Sequence, residues 1–181
     1  MNMNQLTAWA GSWLQQLLFR RRPQDDVLSY AALALALGAY LLMDLLQAAG
    51  NWPPFQVVAV CLLDVAVMIA FTGTVLLLTR KITRLVQTLT ALAGTGALLG
   101  IVGLPLFFNA AKGGEAVAPS GLIAMGWLVL FVWHISVQAH IYRHALTTRF
   151  SVGAALAVLQ AAIMIALMET LFPHAVETGG F

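Results

Sequence analysis

The chain predicts an all-α integral membrane protein, a bundle of five transmembrane helices preceded by an amphipathic interfacial helix. Three observations carry this. The composition is 61% hydrophobic and only 9% charged, against roughly a quarter charged in soluble domains. The apolar residues fall into five long runs, each close to the roughly 20 residues that a helix rising about 1.5 Å per residue needs to cross a core of about 30 Å. The cations sit in short clusters between those runs, so the net charge of +2 marks topology and not a nucleic-acid surface. The single cysteine, Cys61, excludes an internal disulfide, a CxxC pair and a multi-cysteine metal site; it reads as a small buried residue.

Residues 1–22 form the first unit. Arg20, Arg21 and Arg22 follow the apolar stretch, whereas a secretory leader carries its cations ahead of it, so the segment is expected to be retained. Leu6, Trp9, Ala10, Trp13, Leu14, Leu17 and Leu18 recur on one helical face, with Asn4, Gln5, Ser12, Gln15 and Gln16 on the other. Two tryptophans and three arginines suit a helix lying in the headgroup layer, with Trp9, Trp13 and the arginines anchoring it to anionic lipid. Docking on the protein's own bundle or on a partner is the other reading.

Residues 23–181 read as a single bundle. Pro23 ends the first segment, and Asp25 and Asp26 suit the amino end of the next helix. Spans are predicted at about 27–49, 55–78, 85–108, 121–142 and 150–172. The breaks are the turn 50–54, the basic turn Arg80, Lys81 and Arg84, the polar loop 109–120, the basic turn Arg143 to Arg149, and Pro173. Eight of the cations fall on one side and only Lys112 on the other, which makes the basic side cytoplasmic by the positive-inside rule. The amino terminus is then inside and the tail outside, in a membrane expected to be a bacterial inner membrane.

Ionisable groups inside a membrane are costly enough to be candidates by default. Asp64, His134, Gln138 and Gln160 are predicted to converge in the bundle core, either as a proton or ligand site or as a satisfied interhelical hydrogen-bond set. Asp44 and Glu169 lie nearer the outer interface and allow an acidic mouth. His140 and His144 have helical spacing for one metal but lack a visible third ligand, and His134 has no histidine counterpart for an axial haem pair. No metal or cofactor is therefore expected.

The third span carries Gly94, Gly96, Gly100 and Gly103, with Gly96 and Gly100 forming a GxxxG pair that permits close helix packing, internally or with another chain. Gly153, Ala157 and Ala161 form a similar ridge on the fifth span. Arg80, Lys81 and Arg84 read as inner-surface anchors.

The basic turn leading to RLVQTLTALAGTGALLGIVGLPL, and the later WLVLFVWHISVQAHIYRHAL, resemble the Yip1-like family of small polytopic membrane proteins. The resemblance implies a non-enzymatic protein acting through protein or lipid contacts. The chain lacks the long amino-terminal region of eukaryotic members, so a trafficking role does not follow. Nothing supplies a nucleophile with its base or a cofactor motif. The expectation is a non-catalytic scaffold, accessory subunit or membrane-organising protein, touching anionic headgroups and forming a homo-oligomer or a membrane complex. The alternative is a small proton- or ion-coupled transporter or channel subunit using Asp64 and His134.

Overall fold

The computed structural model describes residues 3–49, 53–111 and 121–172. They form α1 (Met3–Leu17), α2 (Tyr30–Ala48), α3 (Pro54–Leu78), α4 (Leu85–Ala111), α5 (Gly121–Leu146) and α6 (Phe150–Leu171). Of these, α2 to α6 are long and apolar enough to cross a membrane. The protein is thus a five-span helical membrane bundle with a short helix ahead of it. The first span, α2, begins three residues later than expected, at Tyr30, while α4 runs into the expected loop as far as Ala111 and α5 extends four residues past Tyr142. The rest of that loop, with Lys112, the turn 50–52, and the tail from Pro173 lie outside the described residues.

The bundle is built around α4. Residues 88–97 are buried on every side, as suits a helix that is apolar all round. Its threonines fit this environment because their hydroxyls donate to the carbonyl four residues earlier: Thr88 to Arg84 at 2.8 Å, Thr90 to Val86 at 2.7 Å and Thr95 to Ala91 at 2.7 Å. A polar side chain satisfied within its own helix costs little to bury. Around α4 stand α1, α2, α3 and α5, while α6 lies outside against α5 and α3.

The small residues of α4 are filled from within the chain. The Trp13 ring lies where a Cβ on Gly94 would fall, Tyr40 occupies that place at Gly96, and Met43 and Gln47 occupy it at Gly100; Leu130 lies over Gly103. On the far side α5 and α6 cross at Gly153, where an added Cβ would meet the Ala139 carbonyl oxygen at 2.2 Å.

The amphipathic helix is docked on the bundle, the second of the two expected placements. Its buried stripe is Ser12, Trp13, Gln16 and Leu17, set against α4 and α5, and Trp133 donates from Nε1 to the Leu17 carbonyl at 3.3 Å. Relative to the expected apolar face, the helix is rotated so that Ser12 and Gln16 point inward and Leu14 and Leu18 outward. The reason is Asp26, which accepts from Ser12 Oγ and Gln16 Nε2, both at 2.6 Å. Trp13 is consequently a core residue, 6% exposed, and not a headgroup anchor; Trp9 packs beside it. Asp26 does not start α2 either, since Ser29 is the N-cap and accepts from the Ala32 amide at 3.2 Å.

Candidate functional site

The helix ends on the basic side all close in the same way. The amide of Phe19 reaches Gln16 O and that of Arg20 reaches Gln15 O, a pair of bonds that turns the chain at Phe19. Arg80 and Thr147 end α3 and α5 with the matching pairs. All three residues have positive φ, 59°, 57° and 50°, at a position where glycine is usual. These tight stops let short turns follow and gather the basic residues.

After Phe19 the chain carries Arg20, Arg21 and Arg22 across the end of α5. His140 Nε2 donates to the Arg21 carbonyl at 3.2 Å, and the Gln24 amide donates to the His144 carbonyl. Buried Pro23 opens a single 3-10 turn, Pro23–Asp25, which fixes the connector. The result is a cavity of about 450 Å³ lined by Phe19, the three arginines, His140, Arg143, His144 and Phe150. Arg21 pairs with Asp26 at 2.9 Å; Arg20, Arg22 and Arg143 have no ion pair among the described residues. The Asp25 carboxylate instead accepts from the Arg22 backbone amide at 3.2 Å.

Not all the basic residues face outward. Lys81 donates from Nζ to the Leu146 carbonyl and the Thr147 hydroxyl. Arg84 donates from Nη1 to the Ala145 carbonyl at 2.8 Å and to the His144 carbonyl at 3.3 Å. Both cations thereby close the last turn of α5, where the unpaired carbonyls and the negative end of the helix dipole lie. Of the three expected anchors in this turn, Arg80 is exposed while Lys81 and Arg84 are half-buried.

The intramembrane polar residues divide into separate sets. Tyr40 donates to Asp64 Oδ2 at 2.5 Å and joins α2 to α3. His134 and Gln138 hydrogen-bond along α5 at 2.8 Å. Gln160 Oε1 accepts from the buried Tyr142 hydroxyl at 2.5 Å, and the same hydroxyl lies 2.9 Å from Thr72 Oγ1, tying α3, α5 and α6 together. No hydrogen bond among the described residues joins Asp64, His134 and Gln160 to one another.

A second cavity, of about 220 Å³, lies away from the basic end between α2, α4 and α5. Tyr40, Asp44, Gln47, Trp127 and His134 are among its walls. Asp44 Oδ2 is buried there without a hydrogen-bond partner. Glu169 is exposed on α6 and does not line this cavity. His140 and His144 meet edge to face at 4.5 Å, and no third metal-ligand type of side chain joins them among the described residues.

Sequence reasoning placed the arginines correctly on one side but missed Asp26, Tyr142 and the joining of connector to α5. Tyr142 was missed because the predicted span ended on it; with α5 running on to Leu146 the residue is buried, and its hydroxyl then needs a partner. Among the described residues the geometry defines a membrane bundle with a basic pocket at one end and a smaller, mainly apolar cavity that a few polar side chains enter. Comparison with family models, curated proteins and solved structures gave no match.

Proposed function

We propose that this is a non-catalytic membrane protein that acts through lipid and protein contacts, as a scaffold or accessory subunit, with the basic end facing the cytoplasm of a bacterial inner membrane. The observation that carries the reading is the basic pocket. Three guanidinium groups without ion pairs among the described residues stand at one end of the bundle, and anionic headgroups are the abundant counter-charge at a membrane surface. The resemblance to Yip1-like proteins points the same way. Because α1 and the connector after it are docked on the bundle, the connector's arginines act from a fixed pocket and not from a mobile surface helix. A second copy or a partner subunit would use a face other than Gly96 and Gly100, which Tyr40 and Met43 already fill.

The test is extraction from native membranes into nanodiscs, followed by mass spectrometry of the lipids and proteins retained. Anionic lipid enriched over the bulk membrane, and lost in Arg22→Gln with Arg143→Gln, supports the reading. Retained lipid of bulk composition in the unaltered protein overturns it.

One observation favours a second reading, a small proton- or ion-coupled transporter. A buried carboxylate oxygen without a partner, beside a cavity at membrane depth, is where a transported cation would sit. Flux of protons or alkali cations in proteoliposomes that falls in Asp44→Asn and Asp64→Asn would establish this role; equal flux in all three proteins, or none, dismisses it.

A further inference from the structure

We propose that the basic pocket is a selective site for a lipid whose headgroup carries two phosphates, and that it holds such a lipid in preference to singly charged anionic lipid. The proposal rests on the lipid-contact reading above and adds to it the class of lipid.

The first argument is convergence. Arg20, Arg21 and Arg22 come from the connector after α1, Arg143 from α5 and Phe150 from the start of α6, and all line one cavity of about 450 Å³. Residues more than a hundred positions apart in the chain are brought to one concave surface, which a merely solvated run of charge does not require.

The second argument is stoichiometry. Asp26 engages Arg21 at 2.9 Å, which leaves the guanidinium groups of Arg20, Arg22 and Arg143 without ion pairs among the described residues. Each guanidinium is a rigid fork of donors that matches phosphate oxygens two at a time. A single phosphodiester has two free oxygens and one charge, enough for one fork. Two linked phosphates double both, so that the three arginines can share oxygens without leaving most of their charge unmatched.

The third argument is rigidity. The connector is held to α5 by His140 Nε2 on the Arg21 carbonyl at 3.2 Å and by the Gln24 amide on the His144 carbonyl. The backbone of Arg21 and the neighbouring Arg22 is therefore placed before any ligand arrives, which reduces the ordering cost of binding. The walls also separate lipid from free phosphate. Phe19 and Phe150 are 43% and 44% exposed and offer apolar surface to the glycerol and first methylenes of a lipid, contacts that a soluble anion cannot make.

The experiment uses the full chain in phosphatidylcholine nanodiscs doped with either phosphatidylglycerol or diphosphatidylglycerol at equal total headgroup charge. Lipid retained on the protein is counted by native mass spectrometry. Diphosphatidylglycerol should be retained about tenfold more strongly, and Arg22→Gln with Arg143→Gln should bring the ratio within about twofold. Phe19→Gly keeps the turn and removes only the ring, so it should lower retention while the thermal midpoint in detergent holds; a loss of retention is then not a loss of folding. Equal retention of the two lipids, or a ratio unmoved by the arginine changes, overturns this inference and leaves the lipid-contact reading standing. Absence of anionic lipid in both preparations overturns both. Displacement of bound lipid by micromolar inorganic pyrophosphate assigns the pocket to free phosphate and also overturns the inference.

Discussion

Asp26 is the residue on which the inner end depends. One carboxylate receives Ser12, Gln16 and Arg21, and its backbone carbonyl accepts from Gln87 Nε2 at 2.7 Å. Removing it leaves buried donors without an acceptor, which costs more than the bonds themselves contribute. Asp26→Ala should lower stability by about 2–3 kcal/mol, discounted for a carboxylate that is partly solvated, and the loss should appear as a lower detergent melting temperature together with protease cleavage after Arg20 to Arg22. Tyr142 plays the corresponding part between α3, α5 and α6. Tyr142→Phe should cost about 1 kcal/mol, since interhelical hydrogen bonds in membranes are individually small. Thr72→Val made in the Tyr142→Phe background should add little if the hydroxyl is the shared partner; additive losses in a double-mutant cycle would show that the two residues act separately.

At the scale of elements, the spans were legible, while the docking of α1 was one of two readings left open and its buried face was not foreseen. Long apolar runs, basic breaks and the four-residue spacing of His134 and Gln138 are local patterns, and local patterns are what a sequence displays. The orientation of α1 depends on an aspartate 10 to 14 residues further on, which turns Ser12 and Gln16 from an apparent solvent face into a buried one. Likewise, the GxxxG pair announced a close approach without naming its occupant, and the occupant is α2. Gly94 tests this arrangement. A Cβ there would stand 2.4 Å from the Trp13 ring, so Gly94→Ala should lift α1 at a cost of about 1–3 kcal/mol. Loosening should be confined to the amino-terminal segment in hydrogen exchange; protection unchanged at residues 3–17 would mean that Trp13 simply turns aside. Gly153→Ala meets backbone at 2.2 Å and should be worse tolerated, parting α5 from α6.

For the whole molecule, the gathering of basic residues makes orientation testable. Cys61 is 2% exposed, so it should remain unlabelled by a membrane-impermeant maleimide and leave a clean background. Arg80→Cys should be labelled only from the cytoplasmic side and Phe55→Cys only from the other; the reverse pattern would invert the topology and move the basic pocket to the outer face. The charge count made this end legible, because every large basic cluster adjoins a span end. That Lys81 and Arg84 serve the carbonyls of α5, and so leave fewer cations for lipid than the sequence suggests, required the tertiary structure. The docking of α1 also bears on how the protein is made. Gln24 finds its partner 120 positions later, on His144, and Leu17 meets Trp133 116 positions later. The partners that α1 and its connector meet on α5 do not exist until α5 has been made, so the first helix to be synthesised cannot reach its final seat until most of the chain has followed it.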